Sequence, residues 1–236
     1  MNSEKVEYLT WDTDFFKKKI GQIFVKKSNS LILALKEAKC ENYQLVYVFC
    51  DENLVVENEI LMQFNGKIVD RKVLFEKNIE KEKEQTNIVS EHIGRELTAE
   101  LEEIAYISGE FSRFKLDENF QKEDFYRMYK IWMENSVKRK IANNVFVAKE
   151  NEAIKGMATL KIMNKMGHIG LIAVVPDKQG KGYGKALIAA CENELLKKNI
   201  LKIEVATQLN NKRAFSFYEK CGFKIKEITN IYHFWL

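Results

Sequence analysis

The chain has 236 residues, 46% of them apolar and 11% aromatic, enough for one large domain or two small ones around a sizeable core. Its 38 basic and 34 acidic residues nearly balance at a net charge of +4, which argues against a nucleic-acid binder and leaves room for a mildly basic groove. Three histidines, and four cysteines without C-x-x-C or paired-His spacing, argue against a His-centred triad and against a zinc or other metal site.

No apolar run reaches the length of a membrane span, and the first twenty residues lack a signal-peptide pattern. The four cysteines, Cys40, Cys50, Cys191 and Cys221, read as reduced and mostly buried thiols, so a cytoplasmic protein without membrane attachment is expected.

Alternating strands and helices fill the first ninety residues. Ile20–Lys26, Gln44–Cys50 and Lys67–Phe75 read as strands, and Leu31–Cys40 and Leu54–Phe64 as helices. Glu76–Gln85 is almost wholly charged with one apolar residue, a solvated loop by composition. It marks a boundary between an N-terminal α/β domain, residues 1–95, and a second domain, residues 96–236. A linking helix spans Thr98–Ile107. In Lys122–Lys138, Phe125, Met128, Tyr129, Trp132, Met133 and Val137 keep the spacing of one buried helical face. Val145–Lys149 and Ile154–Ile162 are strands around a Glu150-Asn151 turn, and His168–Val175 is a third. Ala186–Lys198 is a helix with Leu187, Ile188, Cys191 and Leu195 facing inward, followed by a strand, Ile203–Ala206, a helix, Asn211–Cys221, and two short terminal strands.

The single proline, Pro176, ends the His168–Val175 strand just before Gln179-Gly180-Lys181-Gly182-Tyr183-Gly184-Lys185. Glycines at alternate positions admit positive φ and close approach of a ligand, and the helix that follows offers unpaired N–H groups to an anion. The P-loop pattern fails because Ala186 follows Lys185. The dinucleotide fingerprint fails because its third glycine falls on Lys185 or Leu187. A plain strand-to-helix turn is the alternative to an anion cradle.

What remains is Q-x-x-G-x-G, which resembles the acyl-CoA pyrophosphate loop of the GCN5-related N-acetyltransferase (GNAT) family. About 35 residues on, N-N-K-R-A-F-S-F-Y-E-K-C-G-F from Asn210 to Phe223 is similar to the last helix of that family. The resemblance implies a mixed α/β GNAT fold, with a mostly antiparallel sheet flanked by helices and a smaller N-terminal α/β domain. It implies acetyl-CoA as co-substrate, held by Ile172, Ala173, Val174, the loop residues Gln179, Gly180, Lys181, Gly182, Tyr183, Gly184 and Lys185, and Asn211 and Ala214. Backbone N–H groups near Ala173 and Val174, exposed where the strand bulges, are expected to bind the thioester oxygen. Tyr218 is the expected general acid, since a phenol stays protonated at neutral pH. A core tyrosine is the alternative. His168 and Glu204 are candidate bases, each equally readable as a surface residue; a weakly basic amine needs none.

Further segments resemble one branch, the dTDP-fucosamine (dTDP-4-amino-4,6-dideoxygalactose) acetyltransferases. They are Leu9-x-Trp11-Asp12-x-x-Phe15-Phe16, Ser112-Arg113-Phe114, Trp132-x-Glu134-Asn135-x-Val137, Ile169-Gly170-Leu171, Val205-Ala206-Thr207-Gln208 and Tyr232-His233-Phe234-Trp235-Leu236. Residues 25–105 match poorly, and the glycine loop is fuller than in the sugar-acetylating relatives. This likeness implies a nucleotide-linked amino sugar as acceptor and a role in polysaccharide biosynthesis. Arg113 would pair with its phosphates, with Ser112, Asn135 and Ser136 along the sugar. A surface ion pair for Arg113, and caps or turns for the others, are the alternatives. Trp11, Phe15 and Phe16 read as core aromatics. A peptide, protein or small-molecule amine is the other enzymatic reading, and a non-catalytic acyl-CoA-binding module the reading without chemistry. A homodimer through an exposed strand is left open by the sequence.

Overall fold

Runs of period-two and period-3.6 apolar residues alternate along residues 5–26, 28–84 and 86–236, which the computed structural model describes. The first elements are β1 (Glu7–Tyr8), α1 (Thr10–Phe16), β2 (Ile20–Val25), α2 (Ser28–Cys40), β3 (Leu45–Asp51), α3 (Asn58–Gln63) and a long β4 (Gly66–Asn78). Next come β5 (Val89–Glu91), α4 (Ala99–Ser108), α5 (Arg113–Leu116), α6 (Lys122–Val137), β6 (Asn144–Glu150), β7 (Ala153–Met163) and β8 (Met166–Val174). A 3-10 turn, Pro176–Lys178, leads to α7 (Tyr183–Lys197), β9 (Lys202–Gln208), α8 (Lys212–Lys220) and β10 (Lys224–Trp235). The result is a mixed α/β fold with a mostly antiparallel sheet flanked by helices.

Two compact units divide the chain: Met1–Val73 with Gln208–Asn210 and Glu227–Leu236, and Leu74–Thr207 with Asn211–Lys226. The division falls inside β4, and the single uninterrupted strands β4 and β10 supply residues to both units. In the first unit the strand order is β1-β2-β3-β10-β4. Strand β2 runs parallel to β3, and β10 runs antiparallel to it. One face is closed by α2 and α3 over Ile23, Val46, Val48, Tyr232 and Phe234. Trp11 departs from the core expectation: it is 44% exposed, its indole stacked on Phe15 at 4.9 Å, while Phe16 is buried.

The terminal residues form one strand instead of two short ones. Asn230 is buried, and its Nδ2 donates to the carbonyls of Asp51, Glu52 and Leu54. Its side chain therefore serves a neighbouring turn while its backbone stays in the ladder opposite Cys50.

In the second unit the order is β4-β9-β8-β7-β6-β5. The β5, β6, β7 and β8 pairings are antiparallel, and β8–β9 is parallel. Helices α4 and α6 cover one face: Leu101, Ile104, Met133 and Val137 pack on Val145, Val147 and Met157. Thr98 caps α4, accepting from Leu101 N at 3.3 Å, and acidic Glu123 and Asp124 suit the first turn of α6. The inward face of α7 is Leu187, Ile188, Cys191 and Leu195, all buried.

The charged segment after β4 is more tightly held than a solvated loop. β4 continues to Asn78, Ile79 is buried and bonds Leu201 O, and Lys83 is pinned by Asn193. Its one apolar residue is the anchor; Gln85 lies outside the described residues. Among the described residues no helix is long and apolar enough to cross a membrane.

Candidate acyl-donor site

The glycine turn opens α7. Gly180 (φ 78°) and Gly182 (φ 90°) are left-handed, and no heavy atom lies within 4 Å of where either Cβ would stand. Gly182 is the N-cap of α7 and supplies no side-chain cap to the first-turn N–H groups. Gly184 is different: a Cβ there would lie 3.0 Å from the Phe217 ring of α8. Tyr183 is turned inward, its hydroxyl donating to Glu150 Oε1 at 3.0 Å, and Lys178 holds Oε2 at 2.5 Å. These hydrogen bonds, Lys178 first, keep the Glu150 carboxyl below its ordinary range, and the same carboxylate raises the Tyr183 phenol. Gln179 Nε2 donates to Val174 O at 2.7 Å, while its Oε1 is buried without a partner. The turn is thereby tied to the end of β8.

β8 leaves β9 at this point. Their parallel ladder covers Gly167, His168 and Ile169 against Ile203, Glu204 and Val205 and goes no further, so Ile172–Val174 border a gap. The bulge lies earlier than expected, at Gly170–Leu171, where Leu171 N donates to Thr159 Oγ1 at 2.8 Å. Val175 N bonds Lys155 O at 2.8 Å, which sets the phase of the β7–β8 ladder. By that alternation Ala173 directs its backbone groups to β7, and Ile172 and Val174 direct theirs to the gap. Of the two N–H groups singled out in the sequence, that of Val174 faces the gap, as does that of Ile172, and that of Ala173 faces β7.

Tyr218, on α8, is 4% exposed and packed against Phe75, Phe217 and Phe223. Burial raises its phenol well above the ordinary value, so the proton stays on oxygen. Its hydroxyl makes no hydrogen bond to protein among the described residues. Asn211 is the N-cap of α8, its Oδ1 accepting from Ala214 N at 3.1 Å, which accounts for an Asn at this position.

His168 and Glu204, direct register partners, form a pair at 3.4 Å, and Lys226 holds the other carboxylate oxygen. Of the four substrate candidates, Ser112 and Arg113 lie at the start of α5, and Asn135 and Ser136 in the last turn of α6. Ser112 is buried and caps α5, its Oγ accepting from Phe114 N at 3.3 Å; Arg113 lies over the Phe114 ring at 4.5 Å; Asn135 is half-buried, its carbonyl accepting from Lys140 N. Ser136 Oγ donates to Trp132 O at 2.7 Å.

Sequence reasoning missed Lys77 and Glu192. Beside the glycine turn a cavity of about 560 Å³ opens, bordered by Lys181, Gly182 and Lys185 and by this buried ion pair. A signal existed: Glu192 falls in register with Ile188 and Leu195 on the inward face of α7, where an acid needs a partner. Among the described residues no group of three or more His, Cys, Asp or Glu side chains is placed to hold a metal ion.

Known proteins share this architecture. Residues 101–223, just over half of the chain, match the Acetyltransferase (GNAT) family. The spore coat polysaccharide biosynthesis protein SpsD of Bacillus subtilis (strain 168) is 27% identical over 133 residues, 56% of this chain and 46% of SpsD, so the match spans less than half of that relative. A GCN5-related N-acetyltransferase from Sphaerobacter thermophilus superposes with a TM-score of 0.60 at 11% identity, covering 97% of this chain and 75% of that one. The PaiA N-acetyltransferase of Thermoplasma acidophilum, solved in complex with coenzyme A, superposes with a TM-score of 0.50 at 21% identity, over 63% of this chain and 99% of its own. With the open glycine turn, the parting strands and the matched segment agreeing, the chain belongs to the Acetyltransferase (GNAT) family.

Proposed function

We propose that this chain is an acetyl-CoA-dependent N-acetyltransferase whose acceptor is the amine of a nucleotide-linked amino sugar of the dTDP-4-amino-4,6-dideoxyhexose type. The observation that carries the donor half is the uncapped N-terminus of α7, open above two left-handed glycines and tied through Gln179 to the gap between β8 and β9. These residues fit a diphosphate: the first turn of α7 has no side-chain cap, no Cβ intrudes, and Lys181 and Lys185 flank the turn. Bound there, acetyl-CoA supplies an activated acetyl thioester.

The chain's own groups then have distinct tasks. The N–H groups of Ile172 and Val174 line the gap as fixed donors to a developing oxyanion. Tyr218 keeps a proton on its hydroxyl, available to a departing thiolate. His168, with Nδ1 3.4 Å from Glu204 Oε2, is the candidate base for the incoming amine. Residues 96–236 carry this site in our reading.

The sugar half is supported by the likeness of the segments around Ser112, Trp132 and Val205 to dTDP-fucosamine acetyltransferases, and by the relative named for spore coat polysaccharide biosynthesis. Mass spectrometry after incubation with acetyl-CoA, dTDP-linked 4-amino-4,6-dideoxyhexoses and amine-bearing peptides tests it. One acetyl group gained by a sugar nucleotide and none by the peptides is expected. Acetylated peptide alone would remove the sugar assignment and keep the donor site.

A further inference from the structure

The β6–β7 hairpin turns on two residues, Asn151 (φ 48°) and Glu152 (φ 65°), with Glu150 paired opposite Ala153. Left-handed backbone at both central positions is what a tight type I′ hairpin requires, so the last residue of β6 is held in a fixed place. That residue is Glu150, and both of its carboxylate oxygens are used. Oε1 accepts from the Tyr183 hydroxyl at 3.0 Å, and Oε2 from Lys178 Nζ at 2.5 Å. Lys178 and Tyr183 bracket Gln179–Gly182 in the sequence, so one carboxylate grips the glycine turn at both of its ends. Val175 N bonded to Lys155 O at 2.8 Å ties the same hairpin to the chain just before that turn.

The turn needs such a grip. Gly180 and Gly182 are left-handed, and glycine has more conformational freedom to lose than any other residue. A turn that must be ordered when its ligand arrives gives up affinity, and one ordered in advance does not. None of Glu150, Lys178 and Tyr183 borders the cavity beside the turn, so the clamp acts on the turn itself and not on what lies in front of it. Charge and position make opposite demands at this residue. A carboxylate beside a turn suited to an anion repels that anion, so by Coulomb's law its removal tightens binding; as a clamp, its removal weakens binding.

We infer that Glu150 is a positioning residue for the acyl donor, its carboxylate clamping Lys178 and Tyr183 so that the Gln179–Gly182 turn holds its binding shape before the donor arrives. The inference rests on the acyl-CoA reading above.

Titration calorimetry with acetyl-CoA on the whole chain tests it. Glu150→Ala is expected to bind about tenfold more weakly than the wild type, with kcat at saturating acetyl-CoA within about twofold. Glu152→Ala removes an acid from the same turn whose side chain is 94% exposed and does not reach Tyr183 or Lys178; it is expected to bind no more weakly than the wild type. Tyr183→Phe, which keeps the ring, is expected to weaken binding a fewfold, and to add nothing to Glu150→Ala in the double variant. It also reads the clamp should Glu150→Ala fail to fold. Unchanged or tighter binding by Glu150→Ala or Tyr183→Phe would overturn the inference and leave the acyl-CoA reading standing. Additive losses in the double variant, equal weakening by Glu152→Ala, or a collapse of kcat at saturating donor would each overturn it too. A wild type that does not bind acetyl-CoA would remove the acyl-CoA reading and the inference together.

Discussion

Gly182 and Gly184 stand two residues apart and answer to different constraints. At Gly182 a side chain meets left-handed backbone and open space, so Gly182→Ala is expected to cost only about 1 kcal/mol of stability. The same methyl fills the space in front of the α7 N-terminus, so KM for acetyl-CoA is expected to rise about tenfold or more. Urea unfolding and steady-state kinetics on one preparation separate the two effects; an unchanged KM would take the turn out of the donor site. The motif around these glycines was legible because its meaning is local. The pairing of His168 with Glu204 was not, since the residues are 36 positions apart and meet only through the β8–β9 register. Tyr218 was legible as a motif position, whereas its buried environment depends on Phe75 from a distant strand.

At the scale of elements, α7 carries the uncapped turn proposed for the donor at its start and a buried charge at its middle. Lys77, from β4, is the counter-ion of Glu192, and removing it leaves a carboxylate without compensation. Lys77→Met is therefore expected to lose about 3 kcal/mol, and Lys77→Met/Glu192→Leu to regain most of it. Chemical denaturation of both variants checks this; a single variant as stable as the wild type would mean that the pair holds nothing in place. Long helices such as α6 were legible from apolar spacing, because one periodic face decides them. The bulge in β8 and the union of the last two strands into β10 were not, because Thr159 and Asn230 act there through hydrogen bonds that periodicity does not encode. Short α5 depends likewise on the Ser112 cap.

For the whole molecule, each of the two units buries a thiol that must stay neutral: Cys50 in the first and Cys191 in the second. Burial pushes Cys50 up to about 11 from an ordinary 9.0, and raises Cys191 as well. The stability tied to the neutral thiols is full below pH 9 and is lost as pH rises, through about 11 for Cys50, because the unfolded chain ionises first. Urea unfolding from about pH 8 to about pH 10 is expected to steepen toward about 1.4 kcal/mol per pH unit for each thiol, and less so in Cys50→Ala. A flat profile would contradict the burial. The family could be read from two motifs; the division inside β4 and the cavity over Glu192 required the folded chain.

The central claim is that this chain moves an acetyl group with Tyr218 as the acid. Its most direct test is the release of CoA from acetyl-CoA by wild type and Tyr218→Phe, with the sugar nucleotide saturating. A kcat about a hundredfold lower in the variant, with KM for acetyl-CoA within about twofold, is the predicted result. An unchanged kcat would contradict it.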